Sequence, residues 1–96
     1  MDSRSIPQRS DAVKWQVVDD EAILVHLESG FYFSLNPVGL FIWQHADGRS
    51  DLQQIVEGLV GEFDVDEATA WTDAQGFVDH MLQEGLMTIE ARSSAS

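Results

Sequence analysis

Between residues 13 and 35 apolar and polar side chains broadly alternate, and from residue 37 onward the apolar ones recur every three or four positions. The first regime is that of half-buried strands, the second that of amphipathic helices. Val13–Val18 reads as a first strand and Ala22–Leu27 as a second, joined by the polar turn Asp19-Asp20-Glu21. In the second strand Ile23, Val25 and Leu27 share one face, and Leu24 and His26 share the other. Glu28-Ser29-Gly30 turns the chain again, glycine being the residue that adopts a positive φ without strain. Phe31–Leu35 reads as the third strand. Alternation sends Phe31, Phe33 and Leu35 to one face, expected in the core, and Tyr32 and Ser34 to the other.

The third strand runs directly into a helix. Asn36 is a strong N-cap type, and Pro37 follows at the first helical position, where its missing N–H costs nothing. This helix is expected to reach about Ala46, with Asp47-Gly48 ending it. Val38, Leu40, Phe41, Ile42 and Trp43 make it apolar around most of its girth, so it belongs deep in the core. Ser50-Asp51-Leu52-Gln53 has the form of a capping box for a second helix, whose apolar positions are Leu52, Ile55, Val56, Leu59, Val60 and Phe63. Asp66 caps a third helix that carries Trp71, Ala74, Val78, Met81 and Leu82 on one stripe and ends at Gly85. Met87–Glu90 is either a short strand or a trailing end.

Three strands followed by three helices, with connections too short for parallel crossovers, imply a three-stranded antiparallel sheet packed on a helical layer, an α+β domain. The folded part is expected over 12–90, with flexible polar tails at 1–11 and 91–96. A chain of 96 residues supports a single core.

Composition narrows the functional classes. No apolar run approaches the length of a membrane span, and the N-terminus lacks the apolar core of a signal peptide, so a cytoplasmic protein without membrane contact is expected. The absence of cysteine removes disulfides, thiolate nucleophiles and thiolate metal ligands. The chain has 17 acidic and 5 basic side chains, for a net charge of −12. Arg4, Arg9 and Arg92 fall in the expected tails, leaving Lys14 and Arg49 in the body. Three helices beside a small sheet invite a winged helix-turn-helix reading, with the third helix in a DNA groove. That helix, from Asp66 to Glu84, carries Asp66, Glu67, Asp73, Asp79 and Glu84 and no Lys or Arg. It would be repelled by phosphates, so no nucleic-acid partner is expected. The acidity itself serves either solubility or attraction to a basic partner segment.

Catalytic chemistry finds little material. The chain has no Gly-rich phosphate loop and no Gly-x-Ser-x-Gly elbow. His26, His45 and His80 lie on three different elements without ligand spacing, and Asp19-Asp20-Glu21 reads as a solvated turn rather than a cation cage. No cofactor, metal or enzymatic activity is expected. What remains is the third strand. If helices cover one side of the sheet only, Tyr32 is exposed, and a free strand edge beside a helix docks an extended peptide by strand addition.

The residues that carry this strand and its helix also carry a resemblance. Gly30-Phe31-Tyr32-Phe33-Ser34-Leu35-Asn36, then Gly39, Ile42-Trp43 and Asp47-Gly48 are similar to the PqqD-like family, as are the amphipathic 55–63 helix, Asp64-Val65-Asp66 and Leu82-Gln83-Glu84-Gly85-Leu86. The likeness spans roughly residues 13–89. It implies a non-catalytic recognition element for ribosomally made, post-translationally modified peptides. Such an element binds the leader of a precursor peptide and presents it to a modifying enzyme, such as a radical SAM enzyme or a leader protease. It also implies a winged-helix fold in which the leader adds beside the third strand, against the third helix. On this chain the implied peptide-binding residues are Phe31, Tyr32, Phe33, Ser34 and Leu35 on the strand, and Trp71, Gln75, Val78, Asp79 and Leu82 on the helix. Asp79 and its acidic neighbours would attract Lys or Arg on the leader. Where PqqD proper has Pro-Glu-Gly before the third strand, Glu28-Ser29-Gly30 stands here, a closer likeness to free-standing members of lasso and related pathways. The rival reading is a winged-helix interaction or regulatory subunit not tied to peptide modification.

Overall fold

The computed structural model describes residues 3–91. Along the chain run β1 (Ser5–Arg9), β2 (Val13–Val18), β3 (Glu21–His26), β4 (Tyr32–Leu35), α1 (Pro37–His45), α2 (Leu52–Glu62), α3 (Glu67–Gln83) and β5 (Met87–Ala91). The three expected strands are β2, β3 and β4, in that spatial order and antiparallel, and the three expected helices follow them. A separate two-stranded antiparallel sheet joins β1 to β5.

The capping residues set the helix starts. The Asn36 Oδ1 accepts the Gly39 amide at 2.8 Å, with Pro37 in the first turn. The Asp66 Oδ1 accepts the Thr69 amide at 2.7 Å at the start of α3. The capping box of α2 falls one residue later than expected. Asp51, not Ser50, accepts the Gln54 amide at 2.9 Å, and the Gln54 side chain accepts the Asp51 amide at 2.9 Å. Two overlapping boxes were encoded, Ser-x-x-Gln and Asp-x-x-Gln. The Ser50 amide is held in the preceding turn by Asp47 Oδ1 at 3.1 Å, which leaves the carboxylate of Asp51 to cap.

The core lies between one face of the β2–β3–β4 sheet and the helices. Ala22, Leu24 and Leu35 from the sheet meet Ile42 and Trp43 of α1, Leu52, Ile55, Val56 and Leu59 of α2, and Ala70, Ala74, Val78 and Met81 of α3. Each of the larger aliphatic groups contributes about 1.5–3 kcal/mol by leaving water. Among the described residues nothing covers the other face of the sheet. Ile23, Val25 and Tyr32 stand on it and are exposed, Tyr32 to 74%.

Two expectations are corrected. Phe31 is not in the core: the residue is 69% exposed. Alternation gives the side to which a residue points, not whether anything covers it, and Phe31 lies in the turn before β4 begins. The expected tail at 1–11 contains β1, paired with β5 from Ser5↔Ala91 to Arg9↔Met87. Its composition is polar, but Ser5 and Pro7 alternate inward and are buried. The strand is fastened by Arg9, whose Nη1 donates to the carbonyls of Trp43 at 2.9 Å and Gln44 at 2.8 Å at the end of α1. The Arg9 guanidinium also lies over the Trp15 ring, 5.5 Å from its centroid. Arg9 therefore belongs to the folded body. The C-terminal tail expected over 91–96 lies, apart from the strand residue Ala91, outside the described residues.

Candidate functional site: the free edge of β4 and its groove

β4 is an edge strand, with β3 on one side and no strand on the other among the described residues. The parity of its hydrogen bonds follows from one observed contact. The His26 amide donates to the Phe31 carbonyl at 2.9 Å, and the register continues through Val25↔Tyr32, Leu24↔Phe33, Ile23↔Ser34 and Ala22↔Leu35. In an antiparallel ladder hydrogen-bonded pairs alternate with non-bonded ones. Phe33 and Leu35 therefore turn their N–H and C=O toward β3, and Tyr32 and Ser34 turn theirs outward. Of the backbone groups expected to meet a peptide, those of Tyr32 and Ser34 are available and those of Phe33 are spent within the sheet.

Beside this edge runs a groove of about 220 Å³, lined by Phe33, Ser34, Leu35 and Asn36 on one side and Phe77, His80 and Met81 of α3 on the other. Phe33 and His80 meet edge to face, with ring centroids 6.5 Å apart and planes at 89°. His80 Nε2 lies 3.8 Å from Glu84 Oε1, one helical turn on. Gly39 closes the end near α1. A Cβ built there would sit 3.1 Å from Phe77 Cε1 and 3.2 Å from Asn36 Oδ1, so glycine lets the start of α1 approach α3. Past Phe77 a second hollow of about 270 Å³ is lined by Asp73 together with Asn36, Val38, Gly39 and Ile42.

The helix wall differs from the expected one. At 3.6 residues per turn Asp73, Phe77, His80 and Glu84 share one flank of α3, and the buried stripe Ala70, Ala74, Val78 and Met81 lies next to it. Trp71, Gln75, Asp79 and Leu82 lie on the far side of that stripe. Val78 is fully buried in the core and offers no surface to a ligand. Trp71 and Leu82 are half-buried and packed against the core. Gln75 and Asp79 line a separate hollow with Thr72 and Gly76. Phe77 and His80, which line the groove, are not among the residues expected from the sequence. The available sign was Phe77 itself, a large apolar residue one position off the Ala70–Ala74–Val78–Met81 stripe.

The lining of the groove carries no carboxylate, Lys or Arg. β4, α1 and α3 contain no Lys or Arg; Asp73 lines the adjoining hollow past Phe77, and Glu84 lies 3.8 Å from His80, which lines the groove. At the N-terminus of α3 the Asp66 carboxyl is held below its ordinary range by hydrogen bonds from the Thr69 side chain and amide. Among the described residues no group of three or more His, Asp or Glu side chains converges as a metal site. Among the same residues no helix is long and apolar enough to cross a membrane.

A small sheet open at one edge and on one face, backed by three helices with a groove along that edge, defines a winged-helix-type scaffold suited to an extended chain. The model of the family described as coenzyme PQQ synthesis protein D (PqqD) matches residues 21–87, and the chain belongs to this family of non-catalytic peptide-binding domains. Among solved structures it is similar to TbiB1 in complex with the TbiA(beta) leader peptide. The identity is 32% over 91% of this chain and 99% of that one, with a TM-score of 0.77. It shares its fold with lasso peptide synthetase B1 complexed with the leader peptide, at 19% identity over 86% of this chain and 98% of that one and a TM-score of 0.77. No curated protein matches the chain.

Proposed function

We propose that this protein binds the leader of a ribosomally made precursor peptide as an added strand on β4 and presents it to a modifying enzyme in the cytoplasm. The observation that carries this reading is the juxtaposition of outward-facing backbone groups of Tyr32 and Ser34 with the groove lined by Phe33, Phe77 and His80. Two structural relatives are held with leader peptides, which supports the ligand class. An added strand satisfies the free amides and sends alternate side chains into the groove and onto the uncovered sheet face. Those on the uncovered face stay within reach of an enzyme. The protein's contribution to chemistry is then effective concentration, since a held precursor meets its enzyme almost intramolecularly.

The experiment is an NMR titration of the ¹⁵N-labelled protein with synthetic leaders of the short precursor frames that a search of its gene neighbourhood yields. The expected result is binding at about micromolar affinity or tighter, about −8 kcal/mol or more favourable, with shifts centred on Tyr32, Ser34, Phe77 and His80. Shifts confined to other surfaces, or no binding at millimolar peptide, would overturn the reading.

A further inference from the structure

The charges flanking the groove specify more about its occupant than the strand edge does. Asp73 and Glu84 are eleven positions apart on α3, about 16 Å along the helix axis. Asp73 lines the hollow at the α1 end, and Glu84 sits beside His80 at the Phe33 end. Between them the groove presents Phe33, Leu35, Phe77 and Met81. Among its lining side chains only His80 is able to carry positive charge, and the strand and both helices that form it have no Lys or Arg. Carboxylates flanking the two ends, apolar rings and a thioether between, and His80 beside Glu84 form a pattern that suits an extended segment basic at its ends and apolar at its centre.

Resting on the leader-binding reading above, we infer that the segment captured here has the form basic–x–apolar–x–basic. Lys or Arg at positions i and i+4 would face Asp73 and Glu84, and an apolar side chain at i+2 would rest on Phe33 and Phe77. In a strand every second residue faces the same side, and i to i+4 spans about 13 Å. The flexible stems of Lys and Arg cover the remaining distance while lying along the apolar floor. An acidic residue at either basic position is disfavoured, because it meets the carboxylate of Asp73 or of Glu84.

The test is a display selection of random twelve-residue peptides against the full chain, in which the peptides themselves report the preferred pattern. The expected result is enrichment of basic–x–apolar–x–basic among peptides that shift the Tyr32 and Ser34 amides. Neutralising Asp73→Asn or Glu84→Gln should weaken a selected peptide about two- to five-fold each at low salt, and less at 0.5 M salt. Glu57→Gln with Glu62→Gln removes the same charge from the exposed side of α2, away from β4 and its groove, and should cost less than Asp73→Asn with Glu84→Gln. Peptides that shift Tyr32 and Ser34 without basic preference would overturn this inference and leave the leader reading standing. So would an equal loss in the two double variants, which would assign the preference to overall charge. Peptides that bind without disturbing β4, or a selection that enriches none, would overturn the leader reading itself.

Discussion

Proline at Ser34 separates the outer side of β4 from its inner side. Ser34 stands opposite Ile23 in a non-bonded pair, so its N–H faces away from β3 and no ladder bond is lost when proline removes it. The preceding residue, Phe33, is already in the extended conformation that proline demands of its neighbour. The Ser34 side chain is exposed, so little packing is lost. For an added strand the change is severe. One inter-strand hydrogen bond disappears, and the peptide carbonyl that accepted it faces a pyrrolidine ring. Together these cost about 1.5–3 kcal/mol, a factor of about ten to 150 in Kd. Phe33→Pro is the counterpart on the inner side. It removes an N–H that bonds β3 and a half-buried ring, and it should destabilise the domain by about 3 kcal/mol or more. The assay is fluorescence anisotropy with a labelled leader peptide, alongside urea unfolding of both variants. A folded Ser34→Pro protein that binds the leader as the parent does would show that the peptide does not add to β4. Equal destabilisation by the two prolines would show that the hydrogen-bond parity is wrong.

Further predictions follow from the groove, the terminal sheet and the caps. Phe77→Ala should leave a folded protein and weaken leader binding about ten-fold or more in the same anisotropy assay, and unchanged affinity would remove α3 from the site. Arg9→Ala should cost about 1–3 kcal/mol in urea unfolding, because two carbonyls at the end of α1 lose their donor and Trp15 loses its stacked cation. A cost near zero would return β1 to the status of a tail. Burial pushes the Asp47 carboxyl upward, but hydrogen bonds from the amides of Arg49 and Ser50 and the charge of Arg9 outweigh it, so its pKa is lowered. Asp66 is lowered too, so the stabilisation both provide is complete above the ordinary value of 3.8 and is lost as pH falls through their folded values. The Thr69 amide, followed by NMR, should therefore titrate with a midpoint below 3.8, and a midpoint at or above it would contradict the cap geometry.

Much of this fold was legible because the informative residues act locally. Asn36-Pro37, Asp66 and Gly85 mark helix ends by their own chemistry, and the alternation of residues 22–27 names both faces of β3. What was not legible depends on partners distant in sequence. β1 is polar, and its pairing with β5, its backbone bonds to Ala46 and Gly48 and the reach of Arg9 to α1 make it a strand. The sequence pointed to the other flank of α3 because the helix carries apolar or half-buried residues on both sides of its buried stripe. The sequence does not say which flank faces β4; in the fold α1 packs on α3 at Gly39, where a Cβ would crowd Phe77. The outward groups of Tyr32 and Ser34 are backbone atoms, identical in every residue, and only the ladder register distinguishes them.

A strand edge left open for a peptide is equally open to a second copy of the protein. β4 is short, four residues, which limits what self-pairing gains. Charge decides the rest. Each copy carries −12, and the flank of α3 beside the edge holds Asp73 and Glu84 without a Lys or Arg, so two edges that approach bring acidic helix flanks together. The same field that repels a copy attracts a basic segment, and both effects fade once added salt shortens the screening length from about 10 Å at 0.1 M to about 3 Å at 1 M. The protein should therefore sediment as a monomer at low salt. Any dimer should appear only as salt rises, and Ser34→Pro should abolish it. A dimer present at low salt and dispersed by added salt would mean that copies attract through their charges, and the account of why this edge remains free for a peptide would fail.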